Sequence, residues 1–266
     1  MSAHVINPET TLNVVSSGSG TGPTLIFLHY WGGSSRTFAS VVSNLPYFRS
    51  ISIDFRGWGD STGPQTASGY SILDLALDVE TLIKKLDIHD FVLIGHSMGG
   101  KVAQLIGGRR RVDGLRAIIL IGPAPPTPLV LPAEMQAQQM TAYGSAESSE
   151  FVARNVLTSS PLSEDQVRMV VEDIMKGNEF AKRAWPAYAM VEDFSSETKE
   201  IRVPVLVIAG EFDRVEPVGR LQMEVVGNIA RAEMIVVEGS GHLLPVEAPV
   251  QVAKHIRDFV GKVVAL

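Results

Sequence analysis

A serine flanked by glycines lies in residues 95–100, which read Gly-His-Ser-Met-Gly-Gly. The segment follows an apolar run at residues 91–94 and precedes residues 101–106, which we predict to form a helix. Between a strand and a helix, a G-x-S-x-G turn is so tight that the serine adopts a strained backbone and needs neighbours without a Cβ. We therefore predict Ser97 to be a nucleophile at the carboxyl end of a sheet. The competing role is that of a cap on the following helix.

A serine hydroxyl needs a general base within hydrogen-bond reach, and histidine suits neutral pH because its ordinary pKa lies close by. His242 lies in a loop at residues 239–245, between the last predicted strand and the final predicted helix, where such a fold collects its chemistry. The other histidines lie in the N-terminal segment, at strand ends, in the serine turn or on the last helix: His4, His29, His89, His96 and His255. We therefore predict His242 to be the base.

The base needs a carboxylate that holds the imidazole in one tautomer and stabilises the imidazolium as it forms. Asp213 comes just after the apolar run at residues 205–210, so we predict it to be this acid. Glu211 and Glu216 are the alternatives. The predicted strand at residues 117–121 offers no acid because Gly-Pro follows it.

The elements that must position these residues alternate along the chain. Short apolar, β-branched runs are separated by segments of helical periodicity, of which residues 71–86 are the clearest. This alternation predicts an α/β fold, with a mostly parallel sheet flanked by helices on both faces. The predicted strands are residues 24–28, 50–54, 91–94, 117–121, 205–209 and 234–237.

One stretch interrupts this alternation. Residues 125–198 contain no strand-like run, open with four prolines and continue as amphipathic helical pieces. We predict that this stretch is a helical cap inserted into an α/β core formed by residues 1–124 and 199–266.

Composition excludes several classes of function. The chain of 266 residues is 45% hydrophobic, enough for a large core, and its net charge of −6 argues against nucleic-acid binding. The absence of cysteine excludes disulfides and thiolate chemistry. Residues 1–22 lack the pattern of a signal peptide, and no apolar stretch is long enough to span a bilayer. We expect a cytoplasmic protein with no membrane contact, no metal and no organic cofactor.

Two further motifs complete the pattern. Residues 29–33 read His-Tyr-Trp-Gly-Gly after a predicted strand, and residues 54–61 read Asp-Phe-Arg-Gly-Trp-Gly-Asp-Ser. With the serine turn, Asp213 and His242 in that order, they make the chain resemble the α/β-hydrolase family over nearly its whole length.

The resemblance implies an oxyanion hole made by the backbone N–H groups of Met98 and Trp31. Tyr30 stands where the family usually has glycine, and it is the alternative to Trp31 as the second donor. His29 is interpreted as a residue that orients this loop, and Arg56 as a brace for neighbouring loops.

The serine at position 97 also separates branches of the family. Epoxide hydrolases and haloalkane dehalogenases resemble this chain but have aspartate at the turn, so their reactions are unfavoured. Residues 95–101 are most similar to small intracellular carboxylesterases. The Trp31 position is instead similar to that of cofactor-free haloperoxidases and perhydrolases, in which the same triad passes an acyl group to peroxide.

The predicted pocket wall is apolar and aromatic, which favours a small to medium hydrophobic ester or lactone. We assign Tyr30, Trp185 and Leu243 to substrate binding, Trp185 because Pro186 interrupts its helix there. The other wall residues are Trp31, Met98, Met135, Met140, Tyr188 and Met190.

Three kinds of function fit these observations. Hydrolysis of an ester or lactone through an acyl-enzyme is the favoured one. The same triad could serve carbon–carbon bond hydrolysis, perhydrolysis or a lyase reaction. A ligand-sensing receptor on a hydrolase fold is the third, although an intact triad argues against it. The sequence indicates no protein partner and no oligomeric state.

Overall fold

The structure is a computed structural model that describes residues 1–265 and contains an eight-stranded sheet. Its strands are β1 (Ser2–Asn7), β2 (Thr10–Ser17), β3 (Thr24–Leu28), β4 (Ser50–Ile53), β5 (Phe91–His96), β6 (Leu115–Ile121), β7 (Val205–Gly210) and β8 (Ala232–Val237). Their order across the sheet is β1, β2, β4, β3, β5, β6, β7, β8. β2 pairs antiparallel with β1 and β4, and the other five pairs are parallel.

Helices follow most strands. They are α1 (Ala39–Ser43), α2 (Ile72–Lys85), α3 (Met98–Arg109), α4 (Ala133–Thr141), α5 (Ala146–Asn155), α6 (Glu164–Lys176), α7 (Glu179–Ala187), α8 (Ser195–Thr198), α9 (Val218–Glu224), α10 (Leu244–Glu247) and α11 (Pro249–Val264). Short 3₁₀ turns lie at Ser35–Phe38, Ala189–Val191 and Val226–Asn228. This arrangement confirms the predicted fold class, a mostly parallel sheet flanked by helices.

The strands β3, β5 and β7 are buried along their whole length, which explains why they are apolar runs and not alternating patterns. In β3, Leu25 and Phe27 join a hydrophobic cluster with residues of α1 and α11. Ile26 and Leu28 join the other cluster, with residues of α2 and α3. Successive side chains of a strand point to opposite faces, so both sets must be apolar.

α2 shows how local sequence fixes one of these helices. The Ser71 side chain accepts a hydrogen bond from the Asp74 backbone N–H, and the Asp74 side chain accepts one from the Ser71 backbone. This capping box satisfies two N–H groups at the start of the helix. The buried face repeats at helical spacing, as the sequence predicted: Ile72, Leu75, Ala76, Val79, Leu82 and Ile83.

Two strands, β1 and β2, were not predicted from the sequence. β1 is an edge strand whose residues are exposed or half-buried, and β2 carries polar residues among its apolar ones. Neither segment is the continuous apolar run typical of a doubly covered strand, since both lie at the antiparallel edge of the sheet.

Between β6 and β7 the chain forms helices α4 to α8 and no strand of the described sheet. This stretch contains the residues that we assigned to the cap, and the division into core and cap stays a prediction. Among residues 1–265, no helix combines the length and the apolar character needed to cross a membrane.

Candidate active site

Ser97 occupies a sharp turn between β5 and α3. Its backbone angles, φ +52° and ψ −115°, lie where residues other than glycine are strained. A Cβ on Gly95 would lie 2.3 Å from the Gly99 carbonyl oxygen, and one on Gly99 would lie 2.3 Å from the Leu28 carbonyl oxygen. The glycines of the motif are therefore required by close approach of backbone to backbone.

The end of β6 lies between the serine turn and the loops after β7 and β8. Ile121 O accepts a hydrogen bond from the Ser97 backbone N–H at 3.1 Å. A Cβ on the next residue, Gly122, would lie 3.1 Å from Asp213 Oδ2 and 3.5 Å from His242 Nδ1. The structure therefore brings Ser97, Asp213 and His242 to the same end of the sheet.

His242 and Asp213 form a buried hydrogen-bonded pair, with 2.8 Å between His242 Nδ1 and Asp213 Oδ2. The other carboxylate oxygen, Oδ1, accepts hydrogen bonds from the backbone N–H groups of Val215 and Glu216, both at 2.8 Å. Burial alone would raise the pKa of Asp213, but His242 and these donors lower it below its usual value. The carboxylate is thus held ionised and in one orientation.

The loop that carries His242 is attached to the helical segment between β6 and β7. The Leu157 carbonyl accepts hydrogen bonds from the backbone N–H groups of His242 and Leu243, both at 2.9 Å. The Glu247 carboxylate accepts bonds from the backbone N–H groups of Ser159 and Gly241, at 2.8 and 3.0 Å. The backbone before and after His242 is therefore held by hydrogen bonds, which positions its imidazole.

The two alternative acids make other contacts. Glu211 accepts a hydrogen bond from the Gly239 backbone N–H at 2.9 Å. Glu216 forms an ion pair with Arg220 at 3.1 Å. Burial raises the pKa of Glu216 to about 8 in spite of Arg220, so this carboxyl is poorly suited to stabilise a neighbouring imidazolium at neutral pH.

His96 is a site residue that the sequence reasoning set aside. Its ring lies 5.0 Å from that of His242 and 5.3 Å from that of Tyr30, measured between centroids. Its Nδ1 lies 2.9 Å from Ile121 O. Burial, and then the proximity of His242, lowers the pKa of His96 to about 3, so the ring stays neutral at pH 7 and packs against His242 uncharged.

The loop after β3 lies against the serine turn. Phe55 N–H donates to His29 Nε2 at 3.0 Å, so His29 Nδ1 carries the proton and donates to the Tyr30 carbonyl oxygen at 2.7 Å. His29 thus orients this loop, as interpreted from the sequence. Arg56 makes two 2.6 Å hydrogen bonds to the buried Asp78 and acts as a brace.

The two proposed oxyanion donors sit on different elements. Met98 begins α3, where the first N–H groups of a helix lack partners within the helix. Trp31 is half-buried, and its indole N–H donates to the Lys182 carbonyl oxygen on α7 at 3.0 Å. The carbonyl oxygen of Trp31 accepts a hydrogen bond from the Tyr143 hydroxyl at 3.0 Å.

The predicted wall residues differ in burial, and Trp31 and Tyr188 are half-buried against the main hydrophobic cluster. Tyr30, Trp185 and Leu243 are all buried in one hydrophobic cluster with Met98 and Met190. Two others are surface residues: Met135 and Met140 on α4 are 50% and 41% exposed. Both lie on α4, which buries none of its residues, so they do not join this cluster, and their place in the wall stays a prediction.

The prediction that Pro186 interrupts the helix at Trp185 is wrong. α7 includes Pro186 and ends one residue later, at Ala187, so the proline does not interrupt the helix at Trp185. Trp185 is instead buried by packing in the cluster it shares with Tyr30.

Among residues 1–265, no group of three or more His, Asp or Glu side chains could hold a metal ion.

Comparison with known proteins places the chain in a family. A family model described as "Alpha/beta hydrolase family" matches residues 25–255, so the protein belongs to the α/β hydrolase family, as its sequence motifs indicated. A putative non-heme chloroperoxidase of Synechocystis sp. is 28% identical over 260 residues, which cover 89% of this chain and 90% of that protein. A non-heme chloroperoxidase of Kitasatospora aureofaciens is also 28% identical, with 84% and 86% covered.

Solved structures share the fold. An esterase from Exiguobacterium antarcticum superposes with a TM-score of 0.85 at 22% identity, covering 95% of this chain and 96% of that one. An enol-lactonase from Burkholderia xenovorans gives 0.83 at 21% identity, covering 95% and 97%. Together, the comparisons support a hydrolase as the general class of this protein.

Proposed function

We propose that the protein is a carboxylic ester hydrolase in which Ser97 is the nucleophile, His242 the general base and Asp213 the acid that orients it. The observation that carries the proposal is the buried 2.8 Å hydrogen bond between His242 Nδ1 and Asp213 Oδ2. It lies at the same end of the sheet as a serine whose strained backbone is typical of a nucleophile turn. The reaction needs neither metal nor organic cofactor.

In this mechanism His242 Nε2 takes the proton of the Ser97 hydroxyl while the oxygen attacks the carbonyl carbon of the ester. The carbonyl π electrons move to oxygen, and the oxyanion accepts hydrogen bonds from the N–H groups of Met98 and Trp31. When the tetrahedral intermediate collapses, the ester C–O bond breaks and His242 returns the proton to the leaving alcohol. Water then attacks the acyl-enzyme by the same route and releases the carboxylic acid.

The apolar surroundings of the site support the substrate class. Tyr30, Trp185 and Leu243 belong to the same hydrophobic cluster as Met98, so the side chains packed next to the serine turn are aromatic and aliphatic. Such a wall favours a small to medium hydrophobic acyl group, as an ester or a lactone, over a charged substrate.

Perhydrolysis is the second candidate, and a specific observation favours it. Two relatives that match most of this chain are described as non-heme chloroperoxidases. In this reaction hydrogen peroxide replaces water in the attack on the acyl-enzyme, so the product is a peracid. Measuring peracid formation from acetate or an ester with peroxide, beside hydrolysis of the same ester, discriminates between the two.

A fluorophosphonate probe tests the proposal without knowledge of the natural substrate. We expect labelling at Ser97 alone, located by peptide mapping, together with turnover of short- or medium-chain p-nitrophenyl esters. A protein that neither reacts with the probe at Ser97 nor turns over any ester would refute the proposal. Ester turnover also excludes a purely ligand-sensing role.

The pH dependence of kcat/KM should report His242. Burial alone would lower the pKa of His242, but the charge of Asp213 and its hydrogen bond outweigh burial and raise the pKa above the ordinary 6.5. The base must be neutral to accept a proton, so we expect activity to fall with decreasing pH through a midpoint above 6.5. A midpoint clearly below that value would contradict the assigned pair.

A further inference from the structure

The loop that follows β3, residues 30–34, is bonded both to the core and to residues between β6 and β7; we call it the oxyanion loop. Ser34 Oγ donates a 2.8 Å hydrogen bond to Asp173 Oδ2 on α6. Arg36, just beyond the loop, forms ion pairs with Glu172 at 2.9 Å and with Asp173 at 3.4 Å. These contacts join the loop to the helices between β6 and β7.

The Trp31 side chain is attached to α7 at a backbone carbonyl whose usual donor within the helix is missing. In a regular helix the N–H of residue 186 would donate to the carbonyl of residue 182, but Pro186 has no N–H. The Lys182 carbonyl accepts instead from the Trp31 indole N–H at 3.0 Å. The proline therefore leaves an acceptor for which a core side chain supplies the donor.

Tyr143 makes the second attachment. Its hydroxyl donates to the Trp31 carbonyl at 3.0 Å, and its ring lies 4.0 Å from the Trp31 ring between centroids. Burial raises the pKa of Tyr143, so the hydroxyl keeps its proton and remains a donor. Gly32, at φ +100°, makes room for the ring: a Cβ there would lie 2.7 Å from Tyr143 Cε2.

These bonds fix the peptide planes on both sides of the Trp31 Cα. The preceding plane is held by the core, because the Tyr30 carbonyl accepts from His29 Nδ1 at 2.7 Å and from Gly33 N–H at 3.0 Å. The following plane is held by Tyr143. The Trp31 N–H belongs to the preceding plane, and the Tyr143 bond restrains the backbone torsions at Trp31 that join the two planes.

We propose that the helical segment between β6 and β7 positions the oxyanion hole, with Tyr143 as the positioning residue and the Lys182 carbonyl as its second anchor. This inference rests on the proposed function, in which Trp31 N–H is an oxyanion donor. Loss of either anchor should therefore loosen the Trp31 backbone and weaken the oxyanion hole without abolishing it.

The test compares Tyr143→Phe with the wild type in three measurements. We expect the rate of fluorophosphonate reaction at Ser97 to fall about tenfold, since phosphonylation also develops charge in the oxyanion hole. Ester kcat should fall in step while KM stays within about twofold. Hydrogen exchange of a peptide covering residues 30–34 should accelerate about fivefold or more, because the loop loses an anchor.

Tyr70→Phe is the matched control. The Tyr70 hydroxyl is also buried and also joins the two parts, since Asn178 Nδ2 donates to it at 2.6 Å, but it makes no bond to the oxyanion loop. We expect the rate at which the fluorophosphonate labels Ser97 in Tyr70→Phe to stay near the wild-type value. Trp31→Phe, which removes the bond to Lys182 but keeps a ring beside Tyr143, should act in the same direction as Tyr143→Phe.

The outcomes separate the two proposals. A wild-type protein that is not labelled at Ser97 and turns over no ester refutes the proposed function, and hydrogen exchange of residues 30–34 then decides the positioning role alone. A Tyr143→Phe protein with wild-type exchange and labelling rates overturns the positioning role. An equal loss in Tyr70→Phe overturns it too, because any weakened contact between the two parts would then have the same effect.

Discussion

Replacing Ser97 with alanine should lower kcat on any ester that the protein hydrolyses by about 10⁴-fold or more. The substitution removes the only atom that forms the covalent intermediate in the proposed mechanism. The remaining oxyanion donors and the bound substrate can still assist attack by water, which sets the residual rate. Steady-state kinetics of the purified variant measures the loss.

The fold should survive this change. Alanine keeps the Cβ of the native residue, so it adds no clash and leaves the strain of the positive φ as it is. The backbone bonds of residue 97, to Ile121 O and from the Ala124 N–H, do not involve the side chain. A melting curve close to that of the wild type separates lost chemistry from lost structure.

Ser149→Ala is a suitable control, since Ser149 is also a buried serine but lies on α5. Its activity should stay within a few-fold of the wild-type value. A Ser97→Ala enzyme with near-normal turnover would instead remove Ser97 from the mechanism.

Asp213→Asn should lower kcat a few thousand-fold with little change in melting temperature. The structure explains why the effect should be large. Two backbone N–H groups, of Val215 and Glu216, donate to Asp213 Oδ1, and only an oxygen can accept them. The asparagine amide oxygen must take that position, so its NH₂ group replaces Oδ2 and faces His242 Nδ1.

An NH₂ group at that place selects the wrong tautomer. His242 Nδ1 must then accept a hydrogen bond, which leaves the proton on Nε2 and removes the acceptor for the Ser97 hydroxyl. In the serine-protease triad the corresponding change costs about 10⁴ in kcat, which sets our expected scale.

Glu211→Gln and Glu216→Gln are the matched controls, since each makes the same chemical change at an alternative acid. Both should cost less than about tenfold, because neither carboxylate is hydrogen-bonded to His242 and their effect on it is screened or indirect. A crippled Glu211→Gln enzyme beside an active Asp213→Asn enzyme would transfer the acid role to Glu211.

Local patterns in the sequence were sufficient to predict the buried strands and the serine turn. Doubly buried strands must be apolar on both faces, so β3, β5, β6 and β7 could be predicted with bounds close to those observed. The serine turn could be predicted for a similar reason, because the approach of strand to helix leaves room only for glycine. The exposed edge strand β1 and its neighbour β2, which mixes polar with apolar residues, carry no such constraint, and they were missed.

Tertiary structure decided what depends on residues distant in the chain. Three acids lie within residues 211–216, and only the folded loops show that Asp213 is hydrogen-bonded to His242. The same holds for Tyr143 and Lys182, which reach Trp31 across 112 and 151 positions. Periodicity reports whether a side chain is buried, whereas a hydrogen bond depends on directions that are fixed when separate elements pack together.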